Sequence, residues 1–190
     1  DLSSELYTHP FNFELNDHVV RSYYYLNVLN SHINLDNNLS VVEIGGGNGN
    51  LISLIKSHFN SNCIIDIDLS ETLLLAIIYL NHLFPNSKIL LPNEIDHIID
   101  EKTMNDYDFI FLTPHQINLI KENSIDLSLN TSSFHEMNKI QISEYFRLIQ
   151  KVSKKDAYFF NTNSVEKIPY EGDKSDPNFK KTPPNRFFEY

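Results

Sequence analysis

The chain has 190 residues, 15 Lys+Arg against 25 Asp+Glu for a formal net charge of −10, one Cys, no Trp and five Gly. That length fits one domain, and 41% hydrophobic with 12% aromatic residues supplies a core, which excludes global disorder. The lone Cys63 permits no internal disulfide and points to a reducing, cytoplasmic setting, while the negative charge opposes nucleic acid and anionic membrane as partners.

The chain starts Asp1-Leu2-Ser3, without Met or a signal peptide, which suggests a trimmed or partial sequence. Apolar residues from Asp17 through Ile33 recur at helical intervals and predict a first helix bearing Tyr23-Tyr24-Tyr25. Adjacent tyrosines on a helix point in different directions, so packing is the expected role, with contact to a ligand as the sharper alternative. A polar loop, Asn34 to Ser40, leads into the short apolar run Val41-Val42-Glu43-Ile44, which stops at glycines. Leu51, Ile52, Leu54, Ile55 and Phe59 then repeat with helical period, giving strand, Gly loop and helix. Cys63 to Asp68 is a second strand ending on acid, and Ser70 is the expected N-cap of the next helix. That helix, Glu71 to Leu83, is apolar nearly all round, as for a helix buried between layers. Its apolar run from Leu73 to Leu80 falls far short of the roughly 20 residues that span a bilayer. A strand at Lys88 to Leu91 and an ambiguous helical segment from Glu94 to Lys102 follow. Tyr107 to Leu112 and Ser124 to Asn130 read as strands, Lys139 to Val152 as an amphipathic helix, and Ala157 to Asn161 as a further strand. The tail from Lys167 to Tyr190 is loop-rich, with a possible strand at Arg186 to Tyr190. Strands alternating with helices predict βαβ units, a mostly parallel sheet with helices on both faces, and ligands bound beyond the carboxyl ends of the strands.

Four of the five glycines fall in one window, Gly45, Gly46, Gly47 and Gly49, with only Gly172 elsewhere. Bare backbone at a strand end lets the chain turn tightly and press against a ligand. A dinucleotide fingerprint would place its third glycine at position 50, which is Asn50. The tighter G-x-G-x-G spacing, with Glu43 two residues before it, suits S-adenosylmethionine, whose sulfonium and amino group favour a nearby carboxylate. Asp68, at the end of the next strand, is placed to accept hydrogen bonds from both ribose hydroxyls of an adenosine cofactor, with Asp66 as the in-strand alternative expected to point to the other side.

Three stretches carry a family resemblance: Val42-Glu43-Ile44-Gly45-Gly46-Gly47 with Gly49, Ile65 to Glu71, and Ile125 to Met137 with its Ser133-Phe134-His135-Glu136-Met137. The chain resembles a class I S-adenosylmethionine-dependent methyltransferase and, through the third stretch, the sugar O-methyltransferase family. The resemblance runs from Tyr23 to Asn163 and implies a Rossmann-like α/β fold with S-adenosyl-L-methionine as cofactor. It implies that Glu43, Gly45, Gly47 and Gly49 surround the methionine moiety, that Asp68 binds the ribose and that Leu69 packs near the adenine. Thr113 and Pro114 would also lie near the adenine, and Asn130 and Thr131 would flank the transferred methyl group. His135 stands where that family more often has Gln. A complete fold of this class has two further strands after Ala157 to Asn161, so a C-terminal portion is expected to be missing or the sheet abbreviated.

A sugar hydroxyl is a poor nucleophile at neutral pH, so a base should assist it. His135 is the candidate base, with Glu136 to orient it and His115 as a weaker alternative. A metal site from Asp126, His135 and Glu136 has no supporting spacing, and none is expected. The resulting organisation is a helical cap at 1–40, a cofactor-binding core at 41–165 and an extension at 166–190. The expected partner is a small-molecule or glycan acceptor, and the oligomeric state stays open. The alternatives are a non-catalytic methyltransferase-like binding domain and an NAD-dependent reductase, the latter opposed by Asn50.

Overall fold

The computed structural model describes residues 17–34, 38–59, 61, 63–164, 166–167 and 185–186. Helix α1 covers Asp17–His32 and is followed by β1 at Ser40–Ile44, α2 at Asn50–His58 and β2 at Cys63–Ile67. Next come α3 at Ser70–Leu83, β3 at Ile89–Leu90, α4 at Glu101–Asp106 and β4 at Phe109–Leu112. The chain continues through β5 at Ile125–Thr131, α5 at Lys139–Val152 and β6 at Ser153–Thr162. Short 3-10 segments lie at Pro92–Glu94, Pro114–Leu119 and Phe134–Glu136. Two short strands, β7 at Glu166–Lys167 and β8 at Asn185–Arg186, form a separate antiparallel pair.

The main sheet has the order β3-β4-β2-β1-β5-β6, and every pairing in it is parallel. Strands β1, β2 and β4 are buried throughout, as parallel strands covered on both faces must be. Alternation divides their side chains between two cores. Val42, Ile44, Ile65, Ile67, Ile110 and Leu112 pack with Met104 of α4 and with Ile142, Tyr145, Leu148 and Ile149 of α5. Val41, Ile64, Phe109, Phe111, Leu127 and Leu129 pack on the other face against α1, α2 and α3. Helices therefore cover both faces, and the fold is the expected doubly covered α/β sheet. The chain leaves β1 toward β2 and β4 and later returns on the other side as β5, so the switch point lies between β1 and β5.

Several local readings change. Helix α3 buries only Leu73, Ala76 and Leu80, leaving Leu74, Leu75 and Ile78 more than half exposed, because only one stripe of it meets the sheet. Its N-cap is Leu69, and Ser70 is already helical. The helical segment expected at Glu94 to Lys102 falls instead at Glu101–Asp106, capped by Asp100 through its side-chain bond to Thr103 N–H. Strand β6 extends the predicted Ala157 to Asn161 in both directions. The expected strand at Arg186 to Tyr190 lies mostly outside the described residues, as does most of the tail.

Candidate active site

The loops after β1 and β5 splay at the switch point and open a cavity of about 670 Å³. Glycines shape its floor. Gly45, Gly47 and Gly49 all have positive φ, at 73°, 62° and 81°. A Cβ on Gly45 would overlap the Ser133 side chain, whereas one on Gly47 would meet nothing within 4 Å. Gly45 thus lets the β1 and β5 loops close on each other, and Gly47 leaves backbone bare toward the cavity. Gly49 caps α2 and faces Leu80 and Ala76 of α3, so its bare backbone serves helix packing rather than the cavity lining.

Glu43 reaches the cavity from the sheet itself. Its side chain lies on the face that Val41 occupies, and it is 1% exposed. Oε1 accepts a long hydrogen bond from the Thr131 hydroxyl at 3.5 Å, and Oε2 has no partner among the described residues. Burial, with repulsion from Asp68, pushes its carboxyl up to about 8 against the Thr131 hydrogen bond. Asp68 holds the Gly loop in place: Oδ2 accepts from Gly47 N–H at 2.9 Å and Oδ1 from Leu69 N–H at 2.7 Å. A carboxylate offers about four lone-pair positions, so two remain for hydroxyl donors. Burial raises the Asp68 carboxyl against those two N–H bonds, with Glu136 and Glu71 adding to the rise.

Glu43, Gly45, Gly47, Asp68, Leu69, Pro114 and Thr131 all line the cavity. Thr113 does not, because it closes the turn at Pro114–Leu119 by donating from N–H and Oγ1 to Gln116. Asn130 is fully buried beneath the site and ties the strands together. Its Nδ2 donates to Ile44 carbonyl at 2.8 Å and to Ser133 Oγ at 2.5 Å, and its Oδ1 accepts from Asn163 Nδ2 at 2.7 Å. Glu136 lines the cavity, but the adjacent His135 does not. The 3-10 turn at Phe134–Glu136 sends the two side chains different ways. His135 N–H donates to Asn163 at 3.3 Å, its Nδ1 is buried without a partner among the described residues, and its Nε2 stands 3.9 Å from Glu136 Oε1. Asp126 is engaged elsewhere, by Ser40 N–H at 2.9 Å and Lys154 Nζ at 2.8 Å. Among the described residues no group of three or more His, Cys, Asp and Glu could hold a metal ion.

The walls also contain residues that the sequence does not single out: His18, Arg21 and Ser22 from α1, and Gln141, Glu144 and Tyr145 from α5. Tyr25 of α1, one of the three tyrosines for which ligand contact is the sharper alternative, lines the cavity beside them. The three consecutive tyrosines diverge: Tyr23 packs edge-on to His58, Tyr24 is 63% exposed, and Tyr25 lines the cavity against Phe160. Burial, with Asp68 and Glu144 nearby, pushes the Tyr145 hydroxyl up to about 12, so it faces the cavity as a neutral donor. Helical periodicity could have marked α1 as amphipathic, but nothing local says that its inward face meets the Gly loop.

No family model matches the sequence, and no curated protein matches it. Solved structures share the fold at low identity. A protein from Pyrococcus horikoshii superposes with a TM-score of 0.56 at 12% identity, over 82% of this chain and 63% of that one. The YcgJ protein from Bacillus subtilis gives 0.51 at 16% identity, over 72% and 49% of the two chains. A Methanococcus maripaludis protein assigned as an S-adenosyl-L-methionine-dependent methyltransferase gives 0.50 at 17% identity, over 75% and 55%. The chain thus spans about half to two thirds of the length of these structures, and what they share with it is the Rossmann-like α/β fold.

Proposed function

We propose that the protein is an S-adenosyl-L-methionine-dependent O-methyltransferase acting on a hydroxyl of a sugar or glycan precursor, in a reducing, cytoplasmic setting. One observation carries the cofactor assignment: a buried, unpartnered carboxylate oxygen of Glu43, the Asp68 carboxyl and the bare Gly47 backbone converge on one cavity. Its volume of about 670 Å³ falls in the roughly 300–1,000 Å³ range of small-molecule and cofactor sites. Glu43 would meet the cationic methionine end, Asp68 the ribose hydroxyls, and Leu69 and Pro114 the adenine. When bound, the cofactor supplies an electrophilic methyl group on a sulfonium.

The chain's own groups then align and deprotonate the acceptor. Glu136 stands on the cavity wall after β5 and takes the role of base toward the acceptor hydroxyl, with His135 behind it as a positioning residue. The sequence suggests His135 as base with Glu136 to orient it; the exchange of roles proposed here is supported by Glu136, and not His135, lining the cavity. Ser132, Gln141 and Glu144 give the same wall the hydrogen-bonding groups that a polyhydroxylated acceptor needs. Incubation with methyl-labelled cofactor and a panel of sugars tests the assignment, with label expected on a hydroxyl oxygen. Glu136→Gln should lower turnover by about 10²–10⁴-fold while cofactor affinity stays unchanged. Cofactor binding without transfer to any acceptor would support the binding-domain alternative instead.

A further inference from the structure

Glu43 and Asp66 are partners in the parallel register of β1 and β2. Neighbouring strands lie about 4.8 Å apart, and partners in register project from the same face, so the two carboxyls stand side by side. Both residues are 1% exposed. Neither oxygen of Asp66 has a hydrogen bond of good geometry, and only the Gly46 N–H lies close enough to favour its charge. A Cβ on Gly46 would stand 2.5 Å from Asp66 Oδ1 and 3.1 Å from Glu43 Oε2, so both oxygens border one point under the Gly loop. No Lys or Arg hydrogen bond or ion pair to either carboxyl is found among the described residues. Two buried carboxyls so placed cannot both ionise without a neutralising cation.

We propose that Glu43 and Asp66 form a proton-holding carboxyl pair, in which Asp66 stays a neutral acid and Glu43 releases its proton to solvent when a ligand ammonium reaches it. The inference rests on the cofactor reading above, which supplies that ammonium from the methionine end. Asp66 is a positioning residue: as a neutral acid it offers a hydrogen to the ionised Glu43 from behind. The direction of the shifts agrees. Glu43 is raised to about 8 by burial and then by Asp68, and Asp66 is raised well above the ordinary range by burial and then by Glu43 and Asp68, so each carboxyl favours its neutral form. The other titratable or charged groups facing the same space are Asp68 after β2, Glu136 after β5, and Glu144 and Tyr145 of α5, and Glu71 of α3 acts on Asp68 by its charge. His18 and Arg21 of α1 and His115 after β4 face it as well.

Calorimetric titration with S-adenosylhomocysteine, repeated in buffers of different ionisation enthalpy between about pH 6 and pH 9, counts the protons exchanged. One proton should leave per ligand at the acid end, affinity should rise about tenfold per pH unit, and both effects should fade above the Glu43 midpoint. Glu43→Gln should bind more weakly with an affinity flat in pH. Asp66→Asn, a neutral isostere, should keep both the proton count and the midpoint. Binding without proton exchange overturns the pair while leaving the cofactor reading intact. Proton release that persists in Glu43→Gln would assign it to another group of the cavity and also overturn the pair. A midpoint about one pH unit lower in Asp66→Asn would show that Asp66 is ionised, against the proposal. Absence of binding at every pH overturns the cofactor reading, and the pair with it.

Discussion

Burial makes the charged form of Glu43 costly, and this sets how the ligand-free protein responds to pH. In the unfolded chain the group ionises near its ordinary value of 4.5, whereas in the fold it keeps its proton up to about 8. Between those values the folded state binds more protons, so this group's contribution to stability is lost progressively as pH rises through the window. Glu43→Gln cannot titrate, and its stability relative to the native protein should grow from pH 4.5 to pH 8, as urea denaturation at the two ends would show. An equal difference at both ends would contradict the buried, unpartnered state of Glu43. Glycine makes a second residue-scale contrast. Gly45→Ala meets both a positive φ of 73° and the Ser133 side chain, while Gly47→Ala meets a positive φ of 62° in open space. Gly45→Ala should therefore cost more than about 2 kcal/mol, and Gly47→Ala about 1–2 kcal/mol with its main effect on ligand affinity. Denaturation midpoints for the pair would separate a packing role from a ligand-facing one.

At the scale of elements, one buried side chain reaches the ends of β1, β5 and β6, and Ser133 Oγ adds a bond to the Ile44 carbonyl at 3.0 Å. Asn130 joins the Ile44 carbonyl, Ser133 Oγ and Asn163, and it is fully buried. Asn130→Ala removes its three buried hydrogen bonds while Ser133 Oγ still donates to the Ile44 carbonyl and Asn163 to Asn161, so it should destabilise the protein by about 1–3 kcal/mol, with hydrogen exchange rising first at the loops after β1 and β5. Unchanged protection there would show that the loops close without it. The strands themselves were legible in the sequence, because Val41 to Ile44, Cys63 to Ile67 and Phe109 to Leu112 are compact apolar runs ended by glycine, acid or turn residues. So was the cluster of Glu43, Gly45, Gly47 and Asp68, which depends on residue type at strand ends. The segment from Glu94 to Lys102 was not legible, since its shape comes from a distant bridge, Ile99 to Ile120, and from the Asp100 cap. Nor was the divergence of His135 and Glu136, which a single 3-10 turn after Ser132, at φ 61°, decides. The exposed side of α3 likewise follows from where the helix lies, and not from its composition.

At the scale of the molecule, the cavity gathers groups from both helical layers and from the ends of three strands. Arg21 and Tyr25 of α1, Glu144 and Tyr145 of α5, Glu43, Asp68 and Thr131 all face it. A ligand there bridges elements that otherwise meet only through the sheet, so its binding should stabilise the whole fold and not one loop. Mass action predicts about 2.7 kcal/mol of added stability when free ligand stands at 100 times its dissociation constant. Thermal unfolding with S-adenosylhomocysteine, and separately with NADH, is the most direct test of the cofactor assignment. The midpoint should rise with S-adenosylhomocysteine concentration and should not move with NADH. No rise with S-adenosylhomocysteine, or a rise with NADH instead, would contradict it.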